Sequence, residues 1–369
     1  MTAAANGASR GTPGTRLDLE VTELKRALAM VAPAVAGRTS TPAMQHVLVA
    51  GGMLTATDGE LRIETKLHGA EESGVTVLLP GDKLTRIAGA CDRDGDIRIE
   101  QGKAACTVKS KTGKWVLPTC AASDFPASAP GRLLPVARVP GDQLARCLET
   151  VIPAADKRGG GVLINVADGV VTFVATDGRR LHAYRIEIDQ AVDDCEVLIT
   201  VRAANAIHSI AVAAGFDAVQ LASSKASIVA TNATTTLTAA RLASAFPAWR
   251  KAIPEESDAP TRVQAGHLLA ATRAAGITTS QTSRGVAYAI TSEGILLTGK
   301  SPEAGESKVA CDISECGTPC QITLAPEYVA QFLETVESLE MVHIEAKSAE
   351  SNVVLRCEDR LCVISPIAA

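Results

Sequence analysis

The sequence predicts an α+β chain of three tandem, similar domains, each a doubled unit of helix plus antiparallel strands. Three observations predict it. Helix-like and strand-like stretches recur at a spacing near 120 residues, the 369-residue length holds three such units, and a 46% hydrophobic share can fill a sizeable core. A period this long exceeds the roughly 20–50 residues of solenoid repeats, so tandem globular domains fit it. Aromatic residues are only 3%, so the core rests on Ala, Val, Leu and Ile.

Residues 1–16, MTAAANGASRGTPGTR, have no apolar segment and read as a flexible tail, not a secretory signal. The first domain, 17–130, opens on a helix from Leu24 to Val31. The strand-like run HVLVAGGMLTATDGELRIETKL follows, then VLLP enters a second helix around Leu84, and Ile97-Ile99 alternation leads to Phe125-Pro126. The second domain, 131–254, repeats the order: a helix from Leu144 to Ile152, the run GVLINVADGVVTFVATDGRRLHAYRI, a helix with Ile207, Ile210 and Ala211 on one face, and Phe246-Pro247. The third, 255–369, has a helix from Leu268 to Ile277, the run GVAYAITSEGILLTGKSPEAGESKVA, a helix with Val329, Phe332 and Leu333 inward, and Val342-Ile344 alternation.

The spacings keep step. Asp58 and Asp177 lie 119 residues apart, Phe125 and Phe246 121, and Leu24, Leu144 and Leu268 120 and 124. Boundaries fall at Ala129-Pro130-Gly131 and across Pro254–Pro260, both of linker composition.

Charge divides unevenly along the chain. The net value is −5, yet residues from Glu255 onward hold 8 basic and 16 acidic side chains, which leaves +3 for residues 1–254. Two residues beyond the inward leucine, on the opposite helix face, stand Arg26, Arg86 and Arg146. Each alone reads as an ordinary solvated side chain. Their recurrence reads equally as a basic track for phosphates, recognised by charge and not by sequence.

Little points to chemistry. The ten cysteines are irregularly spaced and read as free thiols of a reducing compartment; Cys311, Cys316 and Cys320 cluster without a fourth ligand, so no metal is expected. Asp58 and Asp177, each in Thr-Asp-Gly, read as turns, with a paired-carboxylate site as the competing reading. There is no P-loop, no dinucleotide fingerprint and no spaced triad, so neither catalysis nor a cofactor is expected. No apolar run approaches the ~18–20 residues of a membrane span.

From about Leu17 to Ala369 the chain resembles the bacterial DNA polymerase III beta subunit, the β sliding clamp family. Val174-Ala175-Thr176-Asp177-Gly178-Arg179-Arg180-Leu181 is similar to the family's V-A-T-D-G-x-R-L, and Phe246-Pro247-Ala248-Trp249-Arg250-Lys251-Ala252-Ile253-Pro254 to F-P-D-Y-R-R-V-L-P. Gly37 to Pro42, Ser123 to Pro126 and Val363 to Ile367 match further segments in order. The resemblance implies three clamp domains per chain, a head-to-tail homodimeric ring, duplex DNA held without sequence preference, and a cytoplasmic, non-membrane location. It implies a processivity factor that tethers the replicative polymerase, the clamp loader and other proteins bearing a clamp-binding peptide.

Carried over position by position, the peptide pocket is Thr176, Gly178, Arg179, Arg180 and Leu181, then Pro247, Lys251 and Ala252. Tyr328 and the chain end Val363, Ser365, Pro366 and Ile367 complete it. The resemblance gives Arg38, Arg86 and Arg202 as DNA contacts, and Trp115, Leu117 and Ile277 as the ring interface, with a core role for Trp115 as the alternative. The chain departs from the family pattern at Arg158-Gly159-Gly160-Gly161, Ala252, Ser365, Ala325 and the terminal Ala368-Ala369, which implies altered peptide recognition. A second reading follows from those departures: a divergent clamp paralogue, phage-encoded or a resistance or scaffold copy, that binds partner peptides or an inhibitor.

Overall fold

Six α-helices occur among the described residues, and five of them start at the residue after a strand's last. They are α1 (Val21–Val31), α2 (Gly81–Ala90), α3 (Gly141–Val151), α4 (Val201–Ala214), α5 (Ala265–Gly276) and α6 (Pro326–Leu333). In the computed structural model the described residues are 16–128, 131–156, 160–189, 192–280 and 284–367. The expected tail before Arg16, Ala129-Pro130 of the first boundary, Arg158-Gly159 and Ala368-Ala369 lie outside them.

The strand-to-helix elbow has a local cause. At α1, α4 and α5 the residue before the helix is extended, so the chain turns there without a loop, and at α4 the Thr200 hydroxyl caps the helix by accepting the Ala203 N–H at 3.1 Å. Each helix then buries one stripe. In α1 it is Val21, Leu24, Ala27, Leu28 and Val31, the spacing of one helical face. Where α3 meets α4, Gly141 is required by close approach: a Cβ there would lie 2.5 Å from the Ala211 carbonyl oxygen.

The chain forms two compact units. The first comprises residues up to Leu134 together with Asp217–Ala240. One of its sheets runs Arg16–Glu20, Asp96–Gln101, Ala105–Ser110, Lys114–Pro118, all antiparallel, which leaves Lys114–Pro118 at an edge. In the other, Thr76–Pro80, His46–Ala50, Met53–Thr57, Leu61–Lys66, Thr235–Ala240, Ser227–Thr231 and Ala218–Ser223 lie side by side.

The second unit comprises Pro135–Phe216 and the chain from Arg241. Its eight-stranded sheet runs Cys195–Thr200, Gly161–Ala167, Val170–Thr176, Arg180–Glu187, Arg360–Ile364, Val353–Cys357, Met341–Glu345, Thr261–Gln264. A four-stranded sheet runs Gly305–Cys311, Gly294–Ser301, Val286–Thr291, Cys320–Leu324.

These sheets cross the expected boundaries between thirds. Leu61–Lys66 of the first third pairs with Thr235–Ala240 of the second, and Arg180–Glu187 of the second with Arg360–Ile364 of the third. These four strands, which would be edges in isolated thirds, are thereby paired.

Candidate binding groove

Residues 241–253 return across one face of the eight-stranded sheet, tied at the start by the Leu242 N–H to the Leu198 carbonyl at 2.9 Å. Phe246, Trp249 and Ile253 pack there on a buried apolar patch that includes Leu163, Val174, Leu181, Val354 and Val363. Beside the short Trp249–Ala252 turn opens a cavity of about 500 Å³, walled by Thr176, Gly178, Leu181, Pro247 and Ala252, with Gly161, Leu198, Phe246 and Trp249. Gly161 leaves backbone as wall: a Cβ would stand 2.2 Å from the Ile199 carbonyl oxygen.

The Thr-Asp-Gly turn builds the rim. Asp177 Oδ1 accepts the Arg179 and Arg180 N–H groups, both at 3.0 Å, and the Thr176 hydroxyl accepts the Gly178 N–H at 3.1 Å while donating to the Arg180 carbonyl at 2.6 Å. Gly178 sits at φ +83°, where a side chain would strain the backbone. Asp58 makes the same turn, with Oδ1 accepting from Glu60 and Leu61 at 3.0 and 2.8 Å. Both aspartates are thus turn formers, as their equivalent spacing suggested.

Of the sequence-predicted pocket residues, Thr176, Gly178, Leu181, Pro247 and Ala252 come together on this wall, and Val363 pairs with Leu181 in the sheet beside them. Arg179 and Lys251 are exposed and off the wall. Arg180 turns to the other face of its strand. Buried to 7% side-chain exposure, it donates to Asp177 Oδ2 at 3.2 Å, to Gln331 Oε1 and to the Pro153 carbonyl, and stacks 4.3 Å over the Tyr328 ring. Tyr328, stacked against Arg180, is likewise off the cavity wall.

The chain end is tied down beyond the cavity. The Ser365 N–H donates to the Arg179 carbonyl at 2.9 Å, the Ser365 hydroxyl to Asn352 Oδ1 at 3.1 Å, and the Ile367 N–H to the Thr323 carbonyl at 2.8 Å, with Pro366 between. Sequence reading missed Phe246, Trp249, Leu198 and Asn352. The first two carried a signal, since large apolar side chains in a proline-bracketed surface segment must cover something.

The first third carries a charged side chain at the matching place. The position equivalent to Leu181 in the shared turn is Arg62. Its guanidinium lies 5.4 Å over the Phe125 ring, donates to the Pro126 carbonyl at 2.8 Å and pairs with Glu64 at 2.9 Å. Phe125-Pro126 matches Phe246-Pro247, so in the first repeat an arginine lies over the phenylalanine where the second repeat has Leu181.

Beneath the groove sheet lies a buried polar layer. His182 is fully buried, gives its Nδ1 proton to the Thr150 carbonyl at 2.7 Å, and meets Phe332 edge-on at 5.6 Å. Burial holds its imidazole down at about 4, from an ordinary value of 6.5.

Arg38, Arg86 and Arg202 are all exposed, the last two on α2 and in the first turn of α4. Arg146 is exposed and 3.3 Å from Asp142. Arg26 departs from the expected outward face: it pairs with Glu23 at 2.8 Å and donates to the Lys66 carbonyl at 2.7 Å, because its long side chain reaches back to the sheet. On the edge strand Lys114–Pro118, Trp115 is half-buried against Gly113, Leu117 is buried and Val116 points outward; Ile277, after α5, is 77% exposed.

Among the described residues no group of three or more His, Cys, Asp and Glu side chains is placed to hold a metal ion, and no helix is long and apolar enough to cross a membrane.

No protein-family model matches the chain. Curated relatives do. It is 25% identical over 349 residues to the beta sliding clamp of Synechococcus elongatus, covering 90% of this chain and 93% of that protein. To the beta sliding clamp of Escherichia coli it is 23% identical over 358 residues, covering 93% and 96%. Among solved structures, a DnaN sliding clamp from Pseudomonas aeruginosa superposes with a TM-score of 0.88 at 21% identity, covering 96% of this chain and all of that one. The DNA polymerase III beta subunit of Thermotoga maritima gives 0.87 at 19%, with the same coverage. The chain is thus similar to these proteins along nearly its whole length and shares their fold.

Proposed function

Starting from this divergent homology to the bacterial β sliding clamps, at 18–25% identity, we propose that the chain is a DNA sliding clamp. Two copies close head to tail into a ring that encircles duplex DNA and tethers a replicative polymerase, its clamp loader and other peptide-bearing partners. The observation that carries this reading is correspondence in sequence over 90–93% of the chain and in fold over 96% of it. The role asks for no chemistry of its own. Topological linkage holds the polymerase at high effective concentration, and exposed arginines such as Arg38, Arg86 and Arg202 meet phosphates by charge alone.

In this reading residues 17–130, 131–254 and 255–369 are three clamp domains with strands shared between consecutive ones. The cavity beside Trp249 takes the apolar end of a partner peptide in an extended segment, with Thr176 and the backbone at Gly161 and Gly178 as polar partners. The small side chains Ala252 and Ser365 favour a second reading, a specialised paralogue with its own partner peptides.

Loading onto nicked circular DNA tests the function. The protein is expected to stay on closed circles, slide off when they are linearised, and extend the product length of a polymerase. Retention without added processivity would favour the paralogue, and equal loss from circles and linear DNA would refute both.

The ring makes a separate prediction. The wild-type solution mass is expected at about twice 38.2 kDa. Trp115→Glu with Ile277→Asp places charge at two proposed contact points and is expected to shift sedimentation to the monomer. A persistent dimer would sink the assignment.

A further inference from the structure

We propose that Cys120 and His46 form a reactive thiol–imidazole pair, a modification site for small disulfides and other soft electrophiles. Neither residue belongs to the groove, to the proposed DNA contacts or to the proposed ring contacts, so the inference stands apart from the clamp reading.

The geometry is that of an oriented base beside a thiol. His46 begins the strand His46–Ala50, and its Nδ1 lies 2.8 Å from the Pro42 carbonyl oxygen. A carbonyl only accepts, so Nδ1 carries the ring proton and Nε2 presents its lone pair. That lone pair lies 3.8 Å from Cys120 Sγ, within range of a sulfur hydrogen bond. The backbone fixes the thiol as well. Cys120 follows the edge strand Lys114–Pro118 and makes an antiparallel bridge to Leu78, and it packs on the small apolar cluster of Ala43, Leu78 and Phe125. Both residues are only half-buried, so a small reagent reaches the sulfur.

The other nine cysteines are placed differently. Among the described residues, Cys120 is the one thiol with an imidazole nitrogen in hydrogen-bond range. Cys147 and Cys362 are wholly enclosed, and burial raises both thiols. Burial also pushes Cys106 and Cys311 up to about 11 and Cys357 to about 12, and raises Cys195 and Cys320. Cys91 is buried and donates to the Ser110 hydroxyl at 3.3 Å, and Cys316 donates to the Gly317 carbonyl at 3.5 Å. A thiol needs access and a proton acceptor together to react quickly, and Cys120 combines them.

With a small disulfide the step balances as follows. The Cys120 proton passes to His46 Nε2, and the sulfur attacks one sulfur of the disulfide. The S–S bond of the reagent breaks, a protein mixed disulfide forms, the other half of the reagent departs as a thiolate, and His46 passes the proton on to water. Cys120 is oxidised and the released half of the reagent is reduced.

The test uses the folded full chain and dithiobis-nitrobenzoate as the disulfide, with released thiolate followed by absorbance and the modified residue located by peptide mass spectrometry. One fast equivalent per chain is expected, at Cys120. His46→Gln is expected to slow that phase by about tenfold or more, the loss of a positioned proton acceptor. Cys120→Ser is expected to abolish it with the slower phases unchanged, which decides the matter should the histidine variant misfold. Fast labelling at another cysteine, a fast phase that survives Cys120→Ser, or an unchanged rate in a folded His46→Gln protein would overturn the proposal.

Discussion

Replacing Arg180 with alanine is expected to lower the free energy of unfolding by about 3–5 kcal/mol, the cost of breaking a buried ion pair. The guanidinium is almost wholly enclosed and serves Asp177, Gln331, the Pro153 carbonyl and the Tyr328 face together. Truncation leaves several of those acceptors without a donor in a place water scarcely reaches. Lysine is expected to recover only part of the loss, because one ammonium cannot reproduce the planar fork. The Arg273–Glu334 pair supplies the contrast. At 2.6 Å it is shorter than the 3.2 Å Arg180–Asp177 contact, but its side chains are 58% and 47% exposed. Arg273→Ala is therefore expected to cost less than about 1 kcal/mol. Urea unfolding of the three variants beside the wild type checks the order, and equal losses for Arg180→Ala and Arg273→Ala would refute it. Because Arg180 also fixes the turn at Asp177, the alanine variant is expected to loosen the groove rim and weaken any peptide held there.

The second large effect is a dependence on pH. His182 is neutral in the folded protein, held at about 4 mainly by burial, with Arg180 lowering it further and Asp177 and the Thr150 carbonyl opposing. In the unfolded chain it titrates near its ordinary value of 6.5. Between those values the unfolded chain binds a proton that the native protein does not, so stability rises with pH across the window. The contribution is whole above pH ~6.5 and is lost as pH falls toward ~4, at a cost of about 3 kcal/mol. His182→Gln, whose amide can still donate to the Thr150 carbonyl, is expected to flatten this part of the profile. Unfolding midpoints at pH 7 and pH 4.5 for both proteins measure it, since paired carboxylates such as Glu23 contribute equally to each. Parallel profiles would show that His182 does not govern the acid limb.

Much of this architecture was readable because a repeat reports on itself. Thr-Asp-Gly and Phe-Pro recur at nearly constant spacing, and a turn that must form twice keeps its residues twice. The helices were legible for the same reason, through inward leucines at matched positions. Strand pairing between thirds was not, because which edge meets which is settled by contacts far apart in the chain. Within the groove, Arg180 and Leu181 obey a simple parity. Neighbours on a strand face opposite ways, and Arg180 shares its face with the buried His182 and Tyr184. Read by resemblance alone Arg180 and Leu181 both became pocket residues; alternation would have separated them. Arg26 shows the converse limit, since angular position on a helix gives where a side chain starts and not where a long one ends.

The guanidinium of Arg62 bears on traffic between partners. In the first third that guanidinium lies over Phe125, so the berth proposed above is the one at the second Thr-Asp-Gly turn. If the clamp reading holds, proteins that carry the same docking peptide must take turns on a subunit, and a two-subunit ring seats two of them. Handover then becomes a matter of release rates and relative abundance.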